Sequence, residues 1–334
     1  LNTPHLGPNR TRDHRTPYSR HARLARSPFL AMSTPTNPSS YIEPLLSWYQ
    51  KQGRDLPWRQ TTNPYPILVS ECMLQQTQVQ RVIPYYHRWL ERFPTWQALA
   101  TASTVDVLHL WSGLGYNRRA LALQSIAQQA AKHGEPQTAH DWLKLKGIGP
   151  YTSAAVATFS RQEAVMPVDT NVRRLLGRAL FGISFPQLED DARITTETSS
   201  WLPSPNFHKI PQALFDVASS ICKKRPECER CPLKDVCKAA PAFLAGTVEI
   251  PKRSIKKATE SRHNEKPFPD RIYRGRIVKL LRERTDLTRA TIGPSIDPDF
   301  DPTADQAWLE AMIERLMKDN LLHEQESVLR LGPR

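Results

Sequence analysis

From Tyr41 to about residue 240 the apolar residues recur at intervals of three and four, and no convincing strand alternation appears before residue 320. Ile42, Leu45, Leu46 and Tyr49 share one helical face, as do Val79, Val82, Ile83, Tyr86 and Leu90. Further short helices are predicted near 104–111, 117–132, 140–146, 150–160, 170–182 and 207–221, separated by Gly, Pro or polar turns. Residues 41–240 are therefore expected to form one all-α unit. The polar segment 241–268 reads as a linker. Beyond it, RIYRGRIVKLLRER and DQAWLEAMIERLMKDN are amphipathic and LLHEQESVLRLG has the pattern of a small hairpin, so residues 269–334 are expected to form a winged-helix-like C-terminal module.

Residues 1–40 carry six Arg and one Asp among many Pro, Ser and Thr. Such a segment buries too little apolar area to fold alone and is expected to be a disordered basic extension. Residues 1–31, ahead of Met32, read as an upstream extension or translated leader, with a transit peptide as the alternative. No apolar run approaches the roughly 18 residues a membrane span needs, and the chain is expected to be soluble. At 334 residues and a net charge of +13 it has room for two or three domains. The charge suggests a polyanion such as nucleic acid as partner, although a merely soluble basic protein would look the same.

The stretch CKKRPECERCPLKDVC places Cys222, Cys228, Cys231 and Cys237 within sixteen residues; Cys72 is the one other cysteine. Clustered thiolates ligate zinc or an iron–sulfur cluster, while a disulfide scaffold does not suit a chain so long and so poor in cysteine. Cys72 reads as a small buried residue.

LKGIGPYTSAAVAT (145–158) sets two glycines two apart ahead of a proline and a helix-compatible run. A helix, a GxG hairpin and a second helix aim consecutive backbone N–H groups outward, where they can hold a phosphate; glycine permits positive φ and close approach. A plain helix-turn-helix linker would have the same local look. Twenty residues on, MPVDTNVRR puts Asp169 at a helix start, which favours the ionised carboxylate. Upstream, SECMLQQTQV holds Glu71 in apolar and amide company, where burial would keep it protonated. A proton donor and an anion in different environments are what cleavage of a glycosidic bond requires.

Taken with RDLPWR and LHLWSGLGYNRRA, these motifs run in order through residues 41–240. In that order the chain resembles the helix-hairpin-helix DNA glycosylases that carry an iron–sulfur cluster, and within them the MutY-type adenine DNA glycosylases. The resemblance implies an all-α fold with a six-helix barrel domain and a cluster domain, DNA lying in the cleft between them. It makes Glu71 the acid that protonates adenine N7, and Asp169 the carboxylate that stabilises the sugar cation. Tyr151 stands where the bifunctional, endonuclease III-like relatives have a Schiff-base lysine. A phenol with a pKa of about 10 is no amine nucleophile, so the product implied is an abasic site. Arg54, Leu56, Trp58, Arg59 and Asp216 match the pocket for the flipped adenine. Gln75, Gln76 and Thr77 match the segment that fills the duplex gap, and Gly147, Gly149 and Thr152 the hairpin that holds DNA phosphate. The four clustered cysteines match ligands of a [4Fe–4S] cluster.

This sequence departs from the family pattern in three places. The first cysteine gap has five residues and not six. Asn117 and Thr170 replace residues common in many relatives and drift toward other subfamilies, mismatch thymine glycosylases among them. Residues 269–334 do not resemble the Nudix-like domain that reads oxidised guanine. The expectation is a monofunctional, monomeric and cytoplasmic glycosylase that excises adenine opposite guanine or 8-oxoguanine in double-stranded DNA. A glycosylase for T or U opposite G and a DNA-binding scaffold without chemistry are the alternatives.

Overall fold

The computed structural model describes residues 37–201, 207–251, 261–264 and 266–333. The basic extension over 1–36 and the middle of the expected linker lie outside the described residues. Fifteen α-helices and one two-stranded sheet follow in order: α1 (Ser39–Gln52), α2 (Pro64–Leu74), α3 (Val79–Arg92), α4 (Trp96–Ala100), α5 (Thr104–Leu110), α6 (Arg118–His133), α7 (Ala139–Leu143), α8 (Pro150–Arg161), α9 (Thr170–Phe181), α10 (Asp191–Thr198), α11 (Lys209–Ser220), α12 (Ala240–Leu244), α13 (Asp270–Glu283), α14 (Arg289–Ile296) and α15 (Pro302–Lys318), then β1 (Leu322–Gln325) and β2 (Val328–Leu331). Side-chain oxygens of Asn63, Thr95, Ser103, Thr138, Asp169, Thr288 and Asp301 accept from backbone N–H groups at the starts of α2, α4, α5, α7, α9, α14 and α15. These satisfy donors that would otherwise lack partners. No described helix is long and apolar enough to cross a membrane.

Two apolar cores divide the helices. One joins α2 to α8 through Leu68, Trp89, Trp111, Leu123, Trp142 and Val156. In the other, Tyr41 and Leu45 of α1 pack with Leu176 of α9, Ile194 of α10, Leu214 of α11 and Leu233 of the cysteine loop. From α1 in the second core the chain crosses to the first at Arg54–Arg59 and returns through α9.

α2 has no polar face. Pro64, Tyr65 and every residue from Ile67 to Met73 are buried, so the helical period that marks a half-solvated helix is erased and this helix was not legible in the sequence. α10 and α14, at eight residues each, also went unread.

The C-terminal helices and hairpin extend the first core. Tyr273, Ile277, Trp308, Ile313 and Leu329 belong to the same buried cluster as α2–α8. Arg282 Nη1 donates to the Leu108 carbonyl at 3.3 Å, and a Cβ added at Gly332 would stand 2.9 Å from that of Thr104. The hairpin pairs Leu322 with Leu331 and Gln325 with Val328, antiparallel.

Candidate active site

A cavity of about 400 Å³ opens between the two cores. Its walls come from Arg54–Arg59, from α2 and the loop after it, from Tyr151 and Phe159 of α8, from the start of α9, and from Gln212 and Phe215 of α11. A volume of this order suits a small apolar ligand fixed by a few polar groups.

Glu71 projects from the all-buried α2 and is only 7% exposed. Burial raises its pKa to about 7; a hydrogen bond from the Tyr151 hydroxyl and the charge of Arg59 pull downward, and the charge of Asp169 pushes upward. Near neutral pH its carboxyl therefore still carries a proton in much of the population. Tyr151 is held well above its ordinary value, first by burial and then by the charges of Glu71 and Asp169. It stays a phenol, packed edge-on against Phe215 at 6.1 Å.

Asp169 caps α9. Its Oδ1 accepts from Asn171 N at 2.9 Å and Val172 N at 2.7 Å, and its Oδ2 from Asn171 Nδ2 at 2.8 Å. Charge here meets the positive end of the helix and three donors. The capping role and the cavity position are compatible, because the carboxylate does both.

Arg54, Leu56, Trp58 and Arg59 line the cavity. Asp216 does not. It is 1% exposed behind the wall, where it accepts from Arg54 N and Nε at 2.9 and 2.6 Å and from both terminal nitrogens of Arg59 at 2.8 Å. Burial alone would raise its pKa, but the Arg59 fork and Arg54 outweigh it and hold the carboxyl below its usual value. Asp216 thus locks the crossover segment of one core to α11 of the other.

Gln75, Gln76 and Thr77 form the rim, and Gln76 adopts a left-handed φ of 57°. The hairpin glycines differ from each other: Gly147 has φ +98°, whereas Gly149 is extended at −99°. Only Gly147 needs glycine for its dihedral; at Gly149 an added Cβ would meet nothing within 4 Å, which leaves its backbone open to close approach. Thr152 is buried in the first turn of α8, which withdraws its hydroxyl from the hairpin surface.

Arg119 escaped the sequence reading. Its Nη1 donates to the carbonyls of Cys72 and Gln75, each at 2.7 Å, and its Nη2 to Leu114 and Gly115 at 3.2 and 3.1 Å. One guanidinium therefore closes the C-terminal end of α2 and ties the rim loop to the 113–116 turn. Tyr116, 65% exposed with φ 50°, stands on that turn beside Gln75 and Gln76. GLGYNRRA contains both residues, but nothing local says that Arg119 turns inward while Arg118 does not.

Cys222, Cys228, Cys231 and Cys237 line one small pocket with Leu175, Ile221, Leu233 and Phe243. None is in a disulfide, and Cys72 is buried as expected. Among the described residues no three His, Cys, Asp or Glu side chains are close enough to hold a single metal ion. Arg178, fully buried, donates to Cys222 Sγ at 3.5 Å and to the Lys223 carbonyl at 2.6 Å, bracing the loop from α9.

Residues 69–201 match the HhH-GPD superfamily of base excision DNA repair proteins. The adenine DNA glycosylase of Mycolicibacterium smegmatis is 36% identical over 291 residues, 84% of this chain and 92% of that protein. The chain belongs to the adenine DNA glycosylases. A thermostable thymine-DNA glycosylase superposes with a TM-score of 0.57 at 25% identity, covering 61% of this chain and 96% of its own. Endonuclease III in a trapped DNA complex gives 0.51 at 19% identity, over 62% of this chain and 99% of its own, which speaks for the fold alone. The membership makes the chain a base excision repair enzyme that hydrolyses an N-glycosyl bond, and it removes the scaffold alternative.

Proposed function

We propose that this enzyme flips adenine paired with guanine or 8-oxoguanine out of double-stranded DNA and hydrolyses its glycosidic bond, leaving an abasic site. The observation that carries the reading is one cavity holding two carboxylates in opposite environments. Glu71, buried and protonated near neutral pH, donates to a ring nitrogen of the departing base. Asp169, charged at the start of α9, faces the sugar as positive charge develops there. Trp58 and Leu56 supply apolar walls for the base, and Arg59, held by Asp216, a fixed cation beside them. Tyr151 offers no amine, so water adds to the sugar carbon that the base leaves, and the proton it gives up replaces the one Glu71 donated.

Adenine is favoured over thymine because the relative matched over most of both chains is an adenine enzyme at 36% identity, against 25% for the thymine enzyme. The four cysteines would hold a [4Fe–4S] cluster. They ring one apolar pocket, which suits ligands spread over the corners of a cluster. Bound there, it would close the loop 222–237 on itself; every chemical step assigned above uses side chains of the chain itself. We further propose that the enzyme acts as a cytoplasmic monomer.

Defined duplexes carrying A·8-oxoguanine, A·G, A·T, T·G or U·G, incubated with the protein and then treated with alkali, test the reading. Cleavage at the adenine of the first two, dependent on alkali, is expected. Cleavage of T·G or U·G in preference would replace adenine by the alternative base. Purified protein should carry roughly four irons per chain; one zinc and no iron would replace the cluster.

A further inference from the structure

A second cleft, of about 470 Å³, lies beside the active cavity and shares Gln75 with it. Lys146 and Gly147 of the hairpin form one wall, Arg118, Arg119 and Ser125 another, and Lys318, Asp319 and Asn320 at the end of α15 the third. Four of these side chains are cations. Lys146 and Lys318 are exposed and make no ion pair among the described residues. Asp319, the lone acid, is bridged at 3.7 Å both to Arg118 across the cleft and to Arg315 on its own helix. Asn320 adopts φ 55°, turning the chain back at the cleft before β1.

The sequence points to a different surface. RIYRGRIVKLLRER is the basic run of the module, yet α13 spends much of its charge inside the protein: Arg276 donates to the Ile296 carbonyl at 2.7 Å and Arg282 reaches Leu108. The module instead presents Lys318 on the side where the hairpin and the rim loop face the same space.

We propose that this cleft is a backbone-phosphate site for duplex DNA, built jointly by the catalytic region and the C-terminal module, with Lys146 and Lys318 gripping one sugar–phosphate stretch while Asp319 restrains Arg118. The inference rests on DNA being the substrate. Its chemistry is that of a phosphodiester: cations on all three walls and a left-handed glycine turn that exposes backbone. Asp319 makes the site self-limiting, because phosphate must compete with it for Arg118.

The test is the salt dependence of binding, read by fluorescence anisotropy on a fully matched synthetic duplex and on one with A·8-oxoguanine, between about 50 and 200 mM salt. Lys318→Gln and Lys146→Gln are each expected to lower the slope of log affinity against log salt by about one. Asp319→Asn is expected to act in the opposite sense, tightening binding several-fold. Lys279→Gln, exposed on α13, should leave the slope at its wild-type value. An unchanged slope in Lys318→Gln, or a fall in Lys279→Gln instead, overturns the proposal. The opposite signs expected for the neighbours Lys318 and Asp319 separate phosphate contact from general disturbance of the helix end. The matched duplex needs no excision, so a failure of the adenine reading leaves these slopes interpretable.

Discussion

The two carboxylates of the cavity sit on opposite kinds of backbone. Glu71 leaves the middle of α2, where every main-chain N–H is spent on the helix and the surroundings are apolar. Asp169 stands before the first turn of α9, where N–H groups lack helical partners and point at it. Neither difference comes from the carboxyl itself. Position along a helix separates a proton donor from a fixed anion, and a chain that needs both acquires them by placing one acid inside a helix and the other at its start.

The largest expected effect comes from removing the proton. Glu71→Gln keeps the shape and deletes the acid, and general acid catalysis contributes on the order of 10² to 10⁴ in rate. Excision should fall by that factor while affinity for mismatched duplex stays near wild type. Near-normal single-turnover rates would make the buried acid a spectator and end the comparison.

Asp169 can be split into its two roles. Asparagine caps a helix about as well as aspartate, so Asp169→Asn should hold its melting temperature and still lose about 10² to 10³ in rate with the charge gone. Asp169→Ala should lose a similar rate and, in addition, about 1 kcal/mol of stability with the cap. Equal stabilities for the two variants would mean that the hydrogen bonds to Asn171 and Val172 carry no weight.

Next is a stability effect with a defined sign. The pKa of Glu71 is raised from its ordinary 4.5 to about 7 on folding, chiefly by burial. Below about pH 4.5 the carboxyl is protonated in both states and burial carries no ionisation penalty. Between there and about 7 the unfolded chain ionises first, so stability falls as pH rises and levels off above 7. Glu71→Gln cannot ionise and should therefore match wild type at pH 4.5 while exceeding it at pH 8 by on the order of 2 to 3 kcal/mol. Denaturant titrations at the two pH values check this, and the wild-type excision rate should decline above about pH 7 in parallel. A gap of the same size at both pH values would assign the effect to packing.

The smallest effect sharpens the part played by the neighbour of both acids. Wild type, with a phenol at 151, should give no borohydride-trapped complex with DNA. Tyr151→Lys should give a small trapped fraction, small because its ammonium loses the edge contact to Phe215 and lowers the pKa of the acid it touches. Strand cleavage by wild type without alkali would contradict the monofunctional reading.

Much of the molecule was written in local pattern. The amphipathic faces of α1 and α3, the hairpin of β1 and β2 and the GxG turn all follow from periods of 3.6 or 2 and from glycine, which act over a few residues. The collinear motifs carried the family and, with it, the identity of Glu71, Asp169, Tyr151 and the cysteines. α2 escaped because a helix buried on every side has no polar face to set a period. Asp216 was named as a pocket residue, yet its place behind the wall depends on two arginines more than 150 positions away in the chain. Arg119 inward and Arg118 outward are likewise not distinguishable from RR.

The class of the amphipathic elements, the hairpins and the kinds of side chain available for chemistry were determined by sequence alone, since each depends on near neighbours. Where those side chains stand in relation to one another, and above all whether Glu71 holds a proton at neutral pH, was decided only by the tertiary structure. The protonation of a carboxyl is set by how much water and charge surround it, and those come from residues of α8, α9 and the crossover segment brought together by the packing of the two cores.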